Sequence, residues 1–382
     1  MRAAIAADPD LGKHPYDALF ASPFLLCRQR ESMIDEAAIA KLPESERAGA
    51  LAALQARNEL AARDLAEKAR IFTQVHEHFV ATFGERCGLK PLRESPTRVA
   101  EPASPVAVEA APRFPLVVWI FTDIRAFTEY HEEHEAEGIA SGLASYLARS
   151  TGWAFLYDED GTDREFEIQK CAGLATYSLL AAFARQRSVG PPAMPLPMFF
   201  ETGLAEWFGA VSMAKDRTLT FVGVNRPRLQ SLKQIKDNMS KANKKLFAFT
   251  VSELARFTGY ADVQRCGVDH WGIDPNFVLG LFYIECWEFL RFLEDADGGK
   301  RRAAIGDLLD AWLGRPRVAH SDSFDVVKWA LGVETTKQWT ALEKEFETYC
   351  FGLVRSDESS LPRPPSLEDW PGYVPPTLEP SR

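Results

Sequence analysis

Apolar positions recur at helical spacing from Glu44 to Phe83, in a stretch rich in Ala, Leu, Glu and Arg, and predict one long amphipathic helix ending near Gly84. Ahead of it, Ser22-Pro23-Phe24-Leu25-Leu26-Cys27 reads as a short buried strand. Pro91, Pro96, Pro102, Pro105, Pro112 and Pro115 then break the chain into a loop that neither a helix nor a central strand would tolerate. Leu116-Val117-Val118-Trp119-Ile120-Phe121 is a continuous apolar run of strand length and suits a strand covered on both faces. Asp123 to Glu137 is expected to be helical, as are Glu165 to Gln186 and, past the turn at Pro191 to Pro197, about Phe199 to Met213.

Four further helical patterns complete the ordered chain: Phe277 to Leu293, Arg301 to Leu313, Ser323 to Leu331 and Thr335 to Leu353. The segment Ser356 to Arg382 holds seven prolines with Trp370 and Tyr373, a composition that favours an extended tail.

Composition narrows the function classes. A chain of 382 residues, 46% hydrophobic, can bury a substantial core. Its net charge of −10 argues against nucleic acid or an anionic membrane as principal partner, and the lysines at 233, 236, 241, 244 and 245 read as a solvated face. Met1 to Asp10 has no basic start followed by an apolar stretch, and no apolar run reaches 18 residues, so a cytoplasmic protein is expected. The six cysteines form no C-x-x-C pair and are expected to be free and mostly buried.

Several blocks carry a family resemblance. They are Phe114 to Phe121, the helix around Cys171, Phe199-Phe200-Glu201-Thr202-Gly203-Leu204-Ala205-Glu206-Trp207-Phe208, and Phe282 to Leu293, followed by Phe324 to Gly332 and its next helix. Their order resembles the peptidase MA-like, gluzincin group of metallopeptidases, over most of residues 20 to 355. The resemblance implies an α+β, mainly helical fold: a zincin-like body with a small mixed β-sheet and a helical C-terminal half. Residues 113–355 would form that body, residues 1–112 a strand, long helix and Pro-rich loop packed on it, and residues 356–382 the tail.

In that family two histidines at i and i+4 on one helix hold zinc, a glutamate between them is the general base, and a second helix supplies a third, glutamate ligand. Carried over by position, the histidine slots fall on Cys171 and Ala175, the base on Ala172 and the third ligand on Thr202. A register shifted by one gives Ala172, Gly173 and Thr176, and the site is still without ligands. Glu201 points about 100° away from Thr202 on a helix and is no simple substitute. Glu206 and Trp207 are expected to pack and hydrogen-bond behind the vestigial site. No catalytic residue, metal or cofactor is therefore expected.

The expectation is a pseudopeptidase that binds a protein or peptide. One alternative is a hydrolase with a rebuilt site, either Cys171 with a histidine such as His320 or His270, or a peptidase with relocated metal ligands; another is a structural subunit of an oligomer or larger assembly. Other metal-like patterns, His76-Glu77-His78, His131 with His134, and the acidic run Asp158 to Asp163, lack the spacing of an established site, and Asp322 reads as a helix cap.

Overall fold

The computed structural model describes residues 11, 16–30, 36–87, 116–134, 144–148, 151–158, 164–186, 196–221, 229–230, 233–234, 247–271, 275–312 and 322–355. The Pro-rich loop, the Pro-rich tail, most of the lysine-rich stretch, His320 and residues 159–163 of the acidic run lie outside them. The architecture is α+β and mainly helical with a small mixed sheet. Two compact units divide the chain: residues up to Gln74 and from Leu116 to Leu174 form the first, and Val75 to Cys87 with Ala175 onward form the second.

The first unit is built on a five-stranded sheet. Its strands are β1 (Tyr16–Ala21), β2 (Phe24–Gln29), β3 (Leu116–Phe121), β4 (Ser145–Leu147) and β5 (Ala154–Tyr157), in the order β1-β2-β3-β5-β4. The three central strands run parallel, and β1 and β4 are antiparallel edges. Every residue of β3 is buried, as the uninterrupted apolar run requires of a strand covered on both faces. On one face Val117, Trp119 and Phe121 join Phe155 and Tyr157 of β5 and Phe127 and Tyr130 of a helix. On the other, Phe24 meets Phe72 edge-on at 4.9 Å.

Four helical segments belong wholly or partly to this unit. They are the single turn α1 (Glu36–Ile39), the 44-residue α2 (Glu44–Cys87), α3 (Ile124–His134), and α4 (Arg164–Gln186). α2 starts where the sequence predicts and runs three residues past Gly84. Its first half is less amphipathic than the pattern suggests, with Leu51 and Leu60 exposed.

The second unit is a helical assembly. α5 (Met198–Gly209) is followed by the hairpin β6 (Val211–Met213) and β7 (Leu219–Phe221), then α6 (Val251–Leu254), α7 (Tyr260–Trp271), α8 (Pro275–Asp295), α9 (Arg302–Trp312), α10 (Ser323–Leu331) and α11 (Thr336–Arg355). The helix expected to reach Met213 stops at Gly209: Ala210 leaves helical geometry at ψ 68°, and the next three residues pair with β7 instead. Asp322 caps α10 by accepting the Asp325 N–H at 2.8 Å, as its position in the sequence implies.

α5 lies along α8 at close quarters. A Cβ at Gly203 would stand 2.8 Å from the Cys286 carbonyl oxygen and 3.1 Å from Leu290 Cβ, so this crossing requires glycine. Glu285, one residue earlier on α8, is buried and accepts the backbone N–H groups of Ala248 at 2.6 Å and Phe249 at 3.1 Å. That carboxylate holds the approach to α6, whose own start is fixed by a capping box between Thr250 and Glu253.

Candidate functional site

α4 carries the positions of the expected metal helix and is helical throughout, so Cys171 and Ala175 share a face, one turn apart. Cys171, Ala172 and Ala175 are 1%, 0% and 0% exposed, and Thr202 on α5 is 1% exposed. Two of these side chains are methyl groups with no lone pair to offer. The Cys171 thiol is pushed up to about 12, because burial outweighs the opposing charges of Lys68 and Lys170. At neutral pH it is a neutral thiol, the wrong state for a nucleophile. The histidines proposed for it lie outside the description: His320 entirely, and His270 in its side chain.

Within the first unit, Cys171 is bordered by an ion network that sequence reasoning missed. Lys68 of α2 places Nζ 2.6 Å from Asp64 Oδ1 and 2.8 Å from Asp158 Oδ1, and Arg28 at the end of β2 reaches Asp158 Oδ2 with Nε at 3.1 Å. Burial works against the Lys68 charge, yet the Cys171 sulfur and the Asp158 and Asp64 carboxylates outweigh it and raise its pKa. Asp158 pays the same burial cost, but Lys68 and Arg28 hold it below the ordinary carboxylate range. Lys170 donates to the Tyr157 carbonyl at 2.8 Å and pairs with Glu167 at 2.5 Å. Two cations against two carboxylates leave the network neutral, and it ties α2 to the ends of β2 and β5. Asp158 read as the start of an acidic turn and Lys68 as a polar helix position; no local pattern joins residues 90 apart.

Around Thr202, the second unit gathers hydroxyls and carboxylates. Tyr177 of α4 has its hydroxyl buried, without a hydrogen bond of normal geometry, and the Thr202 hydroxyl is its polar neighbour. Burial raises its pKa well above the ordinary value, and Tyr283, Glu201 and Glu206 add to the effect. The Tyr283 hydroxyl in turn donates to that of Tyr260 at 3.0 Å. Glu201 and Glu206 are half-buried. The Cys286 thiol is likewise raised by burial and then by Glu285 and Glu206, so the local potential is negative. Such a set accepts hydrogen bonds and favours a cationic or N–H-rich group. Glu201, Thr202 and Glu206 were named from the family resemblance, whereas Tyr177, two residues beyond Ala175, was not anticipated.

In the other metal-like patterns the imidazoles lie against aromatic rings or are buried, with His134 exposed. His78 stacks on Phe221 at 3.7 Å between centroids, and burial lowers both His76 and His78 to about 4. His131 meets Tyr146 edge-on at 4.6 Å, and His134 lies 4.2 Å from Tyr130. Cys27, Cys171, Cys286 and Cys350 are buried and Cys266 is half-buried, and none of the five is in a disulfide. Among the described residues no group of three or more His, Cys, Asp or Glu is arranged to hold a metal ion, and no helix is long and apolar enough to cross a membrane.

No protein-family model matches the chain, and no curated protein or solved structure matches it either.

Proposed function

We propose that this chain is a catalytically inactive relative of the gluzincin metallopeptidases, which binds a protein or peptide without cleaving it. The observation that carries the reading is the chemistry of the four expected ligand and base positions: Cys171, Ala172, Ala175 and Thr202 are packed into the interior and present two methyl groups, a hydroxyl and a neutral thiol. Hydrolysis by a zinc peptidase needs three ligands, a polarised water and a base, and these residue types supply none of them in place. The raised Cys171 thiol also weighs against a cysteine hydrolase.

Binding chemistry is supported by the second unit. Glu201 and Glu206 with the Tyr177 and Tyr283 hydroxyls form an electronegative group, which suits a peptide carrying lysine or arginine. Metal content of the purified protein after exposure to zinc, read by elemental mass spectrometry, is expected to be near zero. Stoichiometric zinc would overturn the reading. Fluorescence polarisation with a lysine- and arginine-rich peptide should show binding that weakens with salt and in the Glu201→Gln/Glu206→Gln variant. Equal binding of an acidic peptide, or no change in the variant, would remove the basic-peptide part.

The register is tested separately by Cys171→His, Ala172→Glu, Ala175→His and Thr202→Glu together. A folded quadruple variant should take up zinc, and a folded variant that takes up none would refute the alignment.

A further inference from the structure

The C-terminal end of α8 buries two carboxylates against one guanidinium. Arg291, fully buried, donates from Nη2 to Asp295 Oδ2 at 2.6 Å, whereas its Nη1 stands 3.7 Å from Glu294 Oε2, beyond hydrogen-bond distance. Glu294 is 0% exposed, and neither of its carboxylate oxygens has a hydrogen-bond partner. The cation arriving from α9, Arg302, spends its Nε on the Glu294 backbone carbonyl at 3.2 Å. From α11, Tyr349 faces Arg291 and Asp295. Arg301, just before α9, is paired with Glu345 of α11 and lies over the Phe292 ring. The joint between α8 and α9 turns tightly here, with Asp297, Gly298 and Gly299 all at positive φ.

One guanidinium, hydrogen-bonded to Asp295 through Nη2 and 3.7 Å from Glu294 through an Nη1 with no hydrogen-bond partner, cannot compensate two carboxylates. A buried carboxylate with no donor costs far more than a buried neutral acid. We propose that Glu294 is protonated in the folded second unit, and that its ionisation is a built-in switch that loosens the joint between α8, α9 and α11. The proposal is independent of the peptidase-like reading, since it uses no residue of that site.

Burial raises Glu294 to about 7, opposed by Arg291, reinforced by Asp295 and opposed again by Arg302. An unfolded glutamate releases its proton near 4.5. Between those values the folded state binds more protons than the unfolded one, so this group's contribution falls as pH rises and levels off above the folded value. His76 and His78, lowered to about 4, impose the opposite slope below their ordinary value of 6.5. The readout is therefore the difference between the wild-type chain and Glu294→Gln, in which the histidine terms cancel.

Urea unfolding of the full chain from pH 4.5 to 8.5 tests this. Glu294→Gln, an isostere of the protonated acid, should gain stability relative to wild type as pH rises, with the ratio of their unfolding constants changing on the order of 100-fold before levelling. A ratio independent of pH would overturn the proposal. The protonated-carboxyl stretch in the infrared spectrum at pH 6 offers a second measure. It should be present in the wild type and lost in the variant, and an identical spectrum in the two would equally refute it.

Discussion

Replacing Gly203 by alanine tests the contact on which the α5 side of the candidate site rests. Two effects oppose. Alanine is the better helix former by about 1 kcal/mol. The added methyl, however, would sit 2.8 Å from the Cys286 carbonyl oxygen and 3.1 Å from Leu290 Cβ, where ordinary contact begins near 3.4 Å. The first obstacle is backbone, so α5 must retreat from α8 by roughly half an ångström, and overpacking of this kind costs about 1–3 kcal/mol. The net expectation is a loss of about 0–2 kcal/mol. Gly280 on α8 is the matched control: nothing lies within 4 Å of its added Cβ, so Gly280→Ala should be neutral or gain up to about 1 kcal/mol. Urea unfolding by circular dichroism and tryptophan fluorescence, with unchanged m-values, measures both. Should Gly203→Ala prove as stable as Gly280→Ala, the close crossing of α5 on α8 would be refuted.

Three further outcomes follow from the same geometry. Lys68→Met leaves Asp64 and Asp158 to share Arg28 and should cost about 2–3 kcal/mol at pH 7, less than a fully buried pair because Asp64 is partly exposed. Asp158, held low in the folded state, contributes stability above 3.8 that fades as pH falls through its folded value. The gap between Lys68→Met and wild type should therefore close on acidification below about pH 4, and a gap that persists there would refute the ion-network account. Glu285→Ala removes the acceptor of two buried N–H groups and should cost about 3 kcal/mol, read from the shift in urea midpoint; a shift within error would show that water replaces the carboxylate. Cys171 should resist a thiol reagent in the folded chain at pH 8 and label at once in denaturant; rapid native labelling would reopen the nucleophile.

The elements legible in the sequence were those with a single strong period. The apolar run of β3 and the helices from α8 onward fall within two residues of their expected bounds, because β3 is an unbroken apolar stretch buried on both faces and each helix carries apolar residues at helical spacing. β4 and β5 were not anticipated: three- and four-residue strands such as Ser145–Leu147 and Ala154–Tyr157 carry too short a pattern to separate from a loop. The end of α5 was misplaced for a related reason, since Val211-Ser212-Met213 fits either period and only pairing with β7 decides it. The site divides similarly. That Cys171 and Ala175 share a helix face follows from their spacing, whereas their choice as site positions came from the family resemblance. Lys68 beside Asp158, and Tyr177 beside Thr202, exist only through tertiary contact.

The two polar groups near Cys171 and Thr202 differ in a way that bears on function. In the first unit, Lys68 and Arg28 answer Asp64 and Asp158, so the charges of the network balance and it ties α2 to the sheet. A ligand entering there would have to break existing ion pairs, at a cost comparable to what it gained. In the second unit, the carboxylates acting on Tyr177 and Cys286 are those of Glu201, Glu206 and Glu285. An excess of negative charge at these groups favours a cation. A basic partner is thus expected to register on Glu201 and Glu206 and to be indifferent to Lys68→Met. Reversal of that pattern, with binding lost in Lys68→Met and retained in Glu201→Gln/Glu206→Gln, would move the binding chemistry to the first unit.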